Sequence, residues 1–484
     1  MPSSQRPRRP AGAGRPTGRG RTGGQPPRDP ARRVAFDVLR AVDDRDAYAN
    51  LLLPAMLTDR RVSGRDAALA TELTYGTLRG SGSYDAVLDA CTDRPIGSVD
   101  APVRDVLRLG THQLLATRIP PHAAVSASVD LARRVAGAGP ARFVNAVLRK
   151  VAARDLAAWL RIVAPDPAAD PVGHLAVTRS HPRWIVTALA EALGDDLAAP
   201  DPAHSETARL LAAHNERPAV TLVAKPGRAP QAELIQSGAV AARYSPIGGY
   251  LPEGDPHAIP AVRQGRVAVQ DEASQLVALT LAAAPLDGPD RRWLDLCAGP
   301  GGKASVLAGL AGQRDARLLA AEIQPHRAAL VAAAVARSVR GAGRALVADG
   351  TRPAWADAAF DRVLVDAPCT GLGALRRRPE ARWRRTPDDL ATLVPLQRRL
   401  LARALDAVRP GGVVAYATCS PHLDEGPGAV DAVLAERSDA TVLDARAALA
   451  EVAAVPELPP GPHVQFWPHR HGTDALFLAL LRRS

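Results

Sequence analysis

"LDLCAGPGGKASVLAGL", residues 294–310, decides how the C-terminal half of this 484-residue chain is read. An apolar run closes on an acid, a glycine-rich turn follows, and alanine, valine and leucine then recur at helical spacing. This is a buried strand turning tightly into a helix. The pattern repeats downstream. "RLLAAE" (317–322) precedes the helical "QPHRAALVAAAVARSV" (324–339), and "RALVAD" (344–349), "DRVLVDAP" (361–368) and "GGVVAYATC" (411–419) follow, with "DALFLALLRR" (474–483) as a last strand. Strands alternating with helices predict an α/β domain with a doubly wound parallel sheet over residues 262–484.

Three mechanisms compete for the glycine turn. A phosphate-binding P-loop needs GxxxxGK[ST], but Cys297 stands at its first glycine and Ala304 at its hydroxyl. A dinucleotide fingerprint is formally met by Gly299, Gly301 and Ala304, with Glu322 at the distance of a ribose-binding acid. The third is S-adenosylmethionine, whose methionine part lies close over such a turn where no Cβ intervenes. Its sulfonium is cationic, so nearby carboxylates favour it. An acid stands at each successive strand end: Asp295, Glu322, Asp349 and Asp366. Ligands of open α/β sheets bind outside those ends. A dehydrogenase accounts for Glu322 alone, and helix capping is the alternative for any single acid.

Two of the four cysteines, Cys369 in "VDAPCTGLGA" (365–374) and Cys419 in "AYATCSPHL" (415–423), also fall at strand ends. One chemistry needs a thiol there. Cytosine C5 is a poor nucleophile until a thiolate adds to C6 and turns the ring into an enamine. The C5 proton must then leave and the thiol be expelled. A thiol of pKa about 8.5 needs activation by its surroundings for this. Cys419 and Cys369 supply a nucleophile and a release assistant, and Asp366 a hydrogen-bonding partner for the base. Cys297 packs inside the cofactor turn, and Cys91 is read as structural.

Upstream, residues 31–160 read as all-α. "ARRVAFDVLRAV" puts Val34, Val38, Leu39 and Val42 on one face, and "RDVLRLGTHQLLA" and "ARFVNAVLRKVAA" keep that period. Residues 165–260 mix a helix, "HPRWIVTALAEALG", a strand, "PAVTLVAK", and the turn-rich "YSPIGGYLPEGDP", which reads as a small α+β connecting domain. Residues 1–30 hold seven arginines and one acid among prolines and glycines, a basic tail too poor in apolar groups to order itself.

Composition sets the outer limits. Hydrophobic residues at 46% and charged residues at 23% are ordinary for a globular protein. No apolar run of about 18 residues predicts a membrane span, and the basic N-terminus lacks the apolar core of a signal peptide, so the expected location is cytoplasmic. Four cysteines without CxxC spacing oppose a disulfide framework or a zinc site. A net charge of +11 suits a polyanionic partner.

"DLCAGPGGK", "DAPCTGLG", "YATCS" and "FWPHRHGTDALF" together resemble the motif set of the RNA 5-methylcytosine methyltransferases of the Sun/NOL1/NOP2 family. The helical segment, through "YANLLLPAML" and "FVNAVLRK", resembles a NusB-like RNA-binding domain, a combination seen in members that act on 16S rRNA. The resemblance implies a multidomain chain: a NusB-like all-α domain, a small α+β connector and a Rossmann-like class I methyltransferase domain. It implies S-adenosyl-L-methionine as cofactor and 16S ribosomal RNA as partner, with no metal, no membrane, and a monomer. The implied cofactor turn is Cys297, Ala298, Gly299, Pro300, Gly301, Gly302 and Lys303. The implied ribose acid is Glu322, the adenine-side acid Asp349, and the acid beside methyl donor and base Asp366. The implied nucleophile is Cys419, with Cys369 releasing the product, whereas DNA cytosine-5 methyltransferases attack with the cysteine of the "PC" motif. Gly299 departs from the alanine common in the family.

Two stretches remain. "GALRRRPEARWRRTPDDL" (373–390) carries six arginines beside the thiols and is read as a phosphate-binding segment, with Trp383 available to stack on a base. "PHRHG", with His469 and His471, lacks the further ligands of a metal site and is read as a loop contacting RNA or cofactor.

Overall fold

The computed structural model describes residues 29–198 and 202–484, so the basic tail read over 1–30 lies outside the described residues except for its last two. The first helix, Pro30–Arg45, starts where the sequence chemistry dictates. Proline occupies its first turn, and the Asp29 side chain accepts from the Arg32 amide. The helices Ala49–Asp59, Gly64–Asp89, Ala101–Ala116, Pro121–Ala136, Ala138–Val151 and Leu156–Val163 follow. Their apolar faces meet in one core that includes Val34, Val38, Val87, Leu88, Leu107 and Leu148, all fully buried. The spacing read from the sequence predicted Val34 and Val38 on this face.

Three shorter helices, Pro171–Thr178, Arg183–Leu193 and Glu206–Asn215, precede a small antiparallel sheet. Its strands are β1 (Val220–Ala224), β2 (Val240–Ala241), β3 (Gly248–Leu251) and β4 (Val267–Val269), in the order β2-β3-β1-β4. Two short helices, Gln231–Gln236 and Pro260–Arg263, lie between its strands, and the whole combines helices with an antiparallel sheet as in an α+β unit. β4 carries this sheet past residue 262, because Val269 pairs with Leu222 and Val267 joins Leu222 and Ala224 in the small core.

The larger sheet contains β5 (Arg292–Asp295), β6 (Arg317–Glu322), β7 (Gly343–Val347), β8 (Phe360–Asp366), β9 (Val408–Thr418), β10 (Ala440–Leu443), β11 (Val464–Phe466) and β12 (Leu476–Arg483). Its order is β10-β12-β9-β8-β5-β6-β7, with β11 also on β12. The pairs from β7 to β9 are parallel, while β12 runs antiparallel to β9. Parallel strands covered on both faces are continuously apolar, and β8 is buried from Phe360 to Val365. The chain leaves β5 toward β6 and β7, then crosses back to β8. That reversal opens a crevice at the carboxyl ends of β5 and β8, the place where such sheets hold ligands.

The arginine-rich segment 376–385 joins these parts, which overturns its reading as a phosphate-binding stretch. Arg376 and Arg377 both pair with Asp271 and Asp474, at 2.6 to 3.1 Å. Arg382 is fully buried and donates to the carbonyls of Arg79 (3.2 Å), Ser180 (3.1 Å) and His214 (2.8 Å) and to the Asn215 side chain (2.7 Å). Arg384 donates to the carbonyls of Asp46 and Val42, and Glu380 accepts from the Ala49 amide. Trp383 lies against Gly82, where any Cβ would come within 2.5 Å of the indole. Charge runs are ambiguous in sequence; here buried carbonyls and two aspartates consume most of the guanidinium groups. Truncating Arg382 to alanine would remove four hydrogen bonds, two of them to the buried carbonyls of Ser180 and His214. We expect a loss of roughly 3 kcal/mol in the docking of the helical domain, seen as a new transition at low urea before the main unfolding.

Candidate active site

Every acid and thiol read at a strand end lies at the carboxyl edge of the parallel sheet. The glycine turn leaves β5 at Asp295 and enters the helix Gly302–Gln313. Two residues of the turn take left-handed backbone, Gly299 at φ 58° and Gly301 at φ 96°. A Cβ on Gly301 would come within 2.7 Å of the Ala334 Cβ, so the turn packs directly on the helix Pro325–Val335. Cys297 and Ala298 are mostly enclosed within the turn, and Pro300 faces out.

Asp295 is wholly buried, and neither carboxylate oxygen makes a well-formed hydrogen bond, the Cys297 amide being only a weak neighbour. Burial, with the Asp366 charge nearby, pushes its carboxyl up to about 8. An unpartnered buried carboxylate is costly, and a cationic ligand relieves that cost. Glu322, also buried, accepts from the Gln324 amide at 3.0 Å, and its other oxygen stands 3.8 Å from Arg327. Asp349 accepts from the Thr351 amide and hydroxyl at 2.8 and 2.7 Å, and these bonds hold it below the usual carboxylate range. One of its oxygens is therefore occupied by a turn. Bare glycine turn, orphaned Asp295 and the two further acids fit a ligand that is cationic at one end and bears a ribose at the other.

Across the crevice, Lys303 reaches from the helix start to Asp366, with Nζ to Oδ2 at 2.8 Å. Burial pulls the ammonium down, but the Asp366 carboxylate outweighs it and Lys303 stays above its ordinary value. Lys303, read as part of the cofactor turn, thus meets Asp366 and also feels the charge of Cys419.

Cys369 and Cys419 are fifty residues apart in sequence, and their sulfurs are 3.3 Å apart. That is far beyond a disulfide bond of about 2.05 Å, so the two are free thiols sharing a hydrogen bond. Their environments differ. The bond from Cys369 lowers Cys419, with Lys303 and Arg378 helping against burial and Asp366. The same bond raises Cys369, reinforced by burial and by the charges of Cys419 and Glu425. Of the two, Cys419 is thus the thiol more readily deprotonated and Cys369 the one that holds its proton more tightly.

Several residues of this site were not found from sequence. Gln397 donates from Nε2 to the Pro368 carbonyl and to Glu425, both at 2.9 Å. Asp271 caps the helix Glu272–Ala283 and anchors Arg376 and Arg377 just past the Cys369 loop. Each acts through a partner tens of residues away, and no local pattern marks such pairs. His469 and His471 are engaged internally rather than presented to RNA or cofactor. His469 meets Glu206 at 2.9 Å, while His471 accepts from the Trp467 amide and donates to the Pro456 carbonyl. Among the described residues, no group of three or more histidines, cysteines or acids is arranged to hold a metal ion.

Comparisons with known proteins agree with this geometry. The family model described as 16S rRNA methyltransferase RsmB/F matches residues 281–482, and that of the NusB family matches residues 29–153. The chain is 54% identical over 459 residues to "Putative methyltransferase Rv1407" of Mycobacterium tuberculosis, covering 94% of this chain and 97% of that one. It is 33% identical over 423 residues to the ribosomal RNA small subunit methyltransferase B of Pseudomonas syringae pv. tomato, covering 85% and 88% respectively. Among solved structures, PH0851 shares the fold over 94% of this chain and 99% of its own, with a TM-score of 0.75 at 22% identity.

Proposed function

The chain belongs to the RsmB/F family of 16S rRNA methyltransferases, and from that premise we propose that it methylates C5 of a cytosine in 16S rRNA through a covalent bond between Cys419 and ring carbon C6. Methylation of rRNA with S-adenosylmethionine is the family's reaction. The observation that carries the finer reading is the pair of sulfurs 3.3 Å apart, in unlike surroundings, beside the Lys303–Asp366 pair.

When bound, S-adenosylmethionine supplies an electrophilic methyl group. The protein does the rest. Cys419 adds to C6, and the electron pair displaced through the ring makes C5 nucleophilic. Asp366, at the mouth of the crevice, accepts a hydrogen bond from the exocyclic amino group of the base and orients it, while the Lys303 ammonium on Asp366 offsets the negative charge that develops in the ring. Lys303 offsets the charge of Asp366 and of the thiolate. After C5 is methylated its proton passes to solvent, the C5–H electron pair re-forms the C5–C6 double bond, the C6–sulfur bond breaks and Cys419 leaves as a thiolate. Cys369, bearing the proton beside the departing sulfur, assists that release. The target base must leave any stack to reach both sulfurs.

The cofactor site carries its own test. Asp295 titrates at about 8 without ligand, and a cation beside it lowers that value. Binding below that pH therefore releases a proton. Affinity is expected to rise about tenfold per pH unit between roughly pH 6 and pH 7, and to level off near pH 8. Calorimetry in buffers of different ionisation enthalpy should count nearly one proton released at neutral pH. Asp295→Asn should bind more weakly and with a flat pH profile. A flat profile in the unaltered protein would remove Asp295 from the cofactor site.

The reaction itself is tested by incubating the protein with 16S rRNA and labelled methyl donor, then mapping 5-methylcytosine by bisulfite sequencing. Methyl groups found only on other atoms or other bases would overturn the proposal.

A further inference from the structure

Glu425 is fully buried six residues beyond Cys419, and its carboxylate faces the loop that carries Cys369. Its Oε1 accepts from the Thr370 amide at 2.8 Å and from Gln397 Nε2 at 2.9 Å, and its Oε2 accepts from the Thr370 hydroxyl. Because that hydroxyl gives its proton to Glu425, the Ser420 hydroxyl donates to Thr370, at 3.0 Å. Thr370 follows Cys369 and Ser420 follows Cys419. One carboxylate therefore ties together the neighbours of both thiols. Gln397 closes the arrangement by also holding the Pro368 carbonyl, and the Tyr416 hydroxyl fixes the Glu425 backbone at 2.7 Å. No ion pair with Glu425 occurs among the described residues; on the Cys369 side Arg385 donates to the Thr370 carbonyl at 3.1 Å instead of pairing with the carboxylate. Lys303 and Arg378 act on the Cys419 side.

We propose that Glu425 is a positioning residue that decides which of the two thiols is the nucleophile: it fixes the distance between the sulfurs through Thr370 and Ser420, and its charge keeps the shared proton on Cys369. The inference rests on the reading of Cys419 as the attacking group. Glu425 never touches substrate. Two facing thiols are alike in themselves, so the fixed anion on one side adds to the cations on the other in making them unequal. Without it the proton would be shared more evenly, and a fraction of the protein would present the wrong thiolate.

The test needs no RNA. The full-length protein is treated with limiting iodoacetamide from about pH 6 to about pH 9, and alkylation at each cysteine is quantified by mass spectrometry. Cys419 should react in preference to Cys369. In Glu425→Gln, which keeps the shape but removes the charge, that preference should fall about tenfold, the equivalent of one pKa unit between the thiols. An unchanged ratio and pH profile in the folded variant would overturn the proposal. If Glu425→Gln does not fold, Thr370→Val decides. Cutting the link to Ser420 should shrink the preference about threefold, and an unchanged preference would again overturn it. Alkylation and methyl transfer are read separately, so failure here leaves the cytosine chemistry intact. Loss of the cytosine reading would in turn leave the alkylation result standing.

Discussion

Cys419→Ala is expected to lower methyl transfer to 16S rRNA by a factor on the order of 10⁴ or more, the scale seen when a nucleophile that forms a covalent intermediate is removed. The fold should survive. The side chain is small and only partly enclosed, and Thr418 and Ser420 keep their own hydrogen bonds. Binding of methyl donor should persist, because Asp295, Glu322 and the glycine turn are untouched. RNA containing 5-fluorocytosine, which cannot lose its C5 substituent as a proton, should form a stable adduct with the unaltered protein and none with the variant. Full activity in Cys419→Ala would end the assignment.

Cys369→Ala should behave in the opposite way. The thiolate of Cys419 still attacks, but the group that assists its departure is gone. Turnover should fall by on the order of 100-fold while a protein–RNA adduct accumulates as a slow band on a denaturing gel, without any fluorinated base. The variant also loses the hydrogen bond that lowers Cys419. Adduct formation should therefore need a higher pH than in the unaltered protein, since the thiolate fraction now rises only as pH approaches an ordinary thiol value. The double variant should show no band. Normal turnover without a trapped species would mean that Cys369 has no part in release.

What could be read from sequence follows from how far each interaction reaches. The glycine turn, the strand-end acids and the two thiols were legible because each sits in a short local motif whose backbone path is dictated by its neighbours. The edge strands β10 and β11 were not, since "ATVL" and "VQF" are too short to carry a period. The arginine segment was misread because composition gives charge and not burial. The same six guanidinium groups would read identically on a solvated face, whereas Arg382 lies among main-chain carbonyls. Glu425 escaped notice for a related reason: its partner Thr370 is 55 residues away, and only the adjacency of β8 and β9 brings the two together.

The way Arg382 and Arg384 grip the N-terminal helices also bears on synthesis. Arg382 meets the carbonyl of a residue 303 positions earlier, and Arg384 one 342 positions earlier. At 5–20 residues per second, translation needs roughly 15 to 70 s to bridge such gaps. The first helical bundle is thus complete long before its anchor emerges, and must persist on its own core in the meantime. A transcript truncated anywhere before codon 376 yields that bundle with its latch missing, and nascent chains stalled there should be the ones most readily cut by protease.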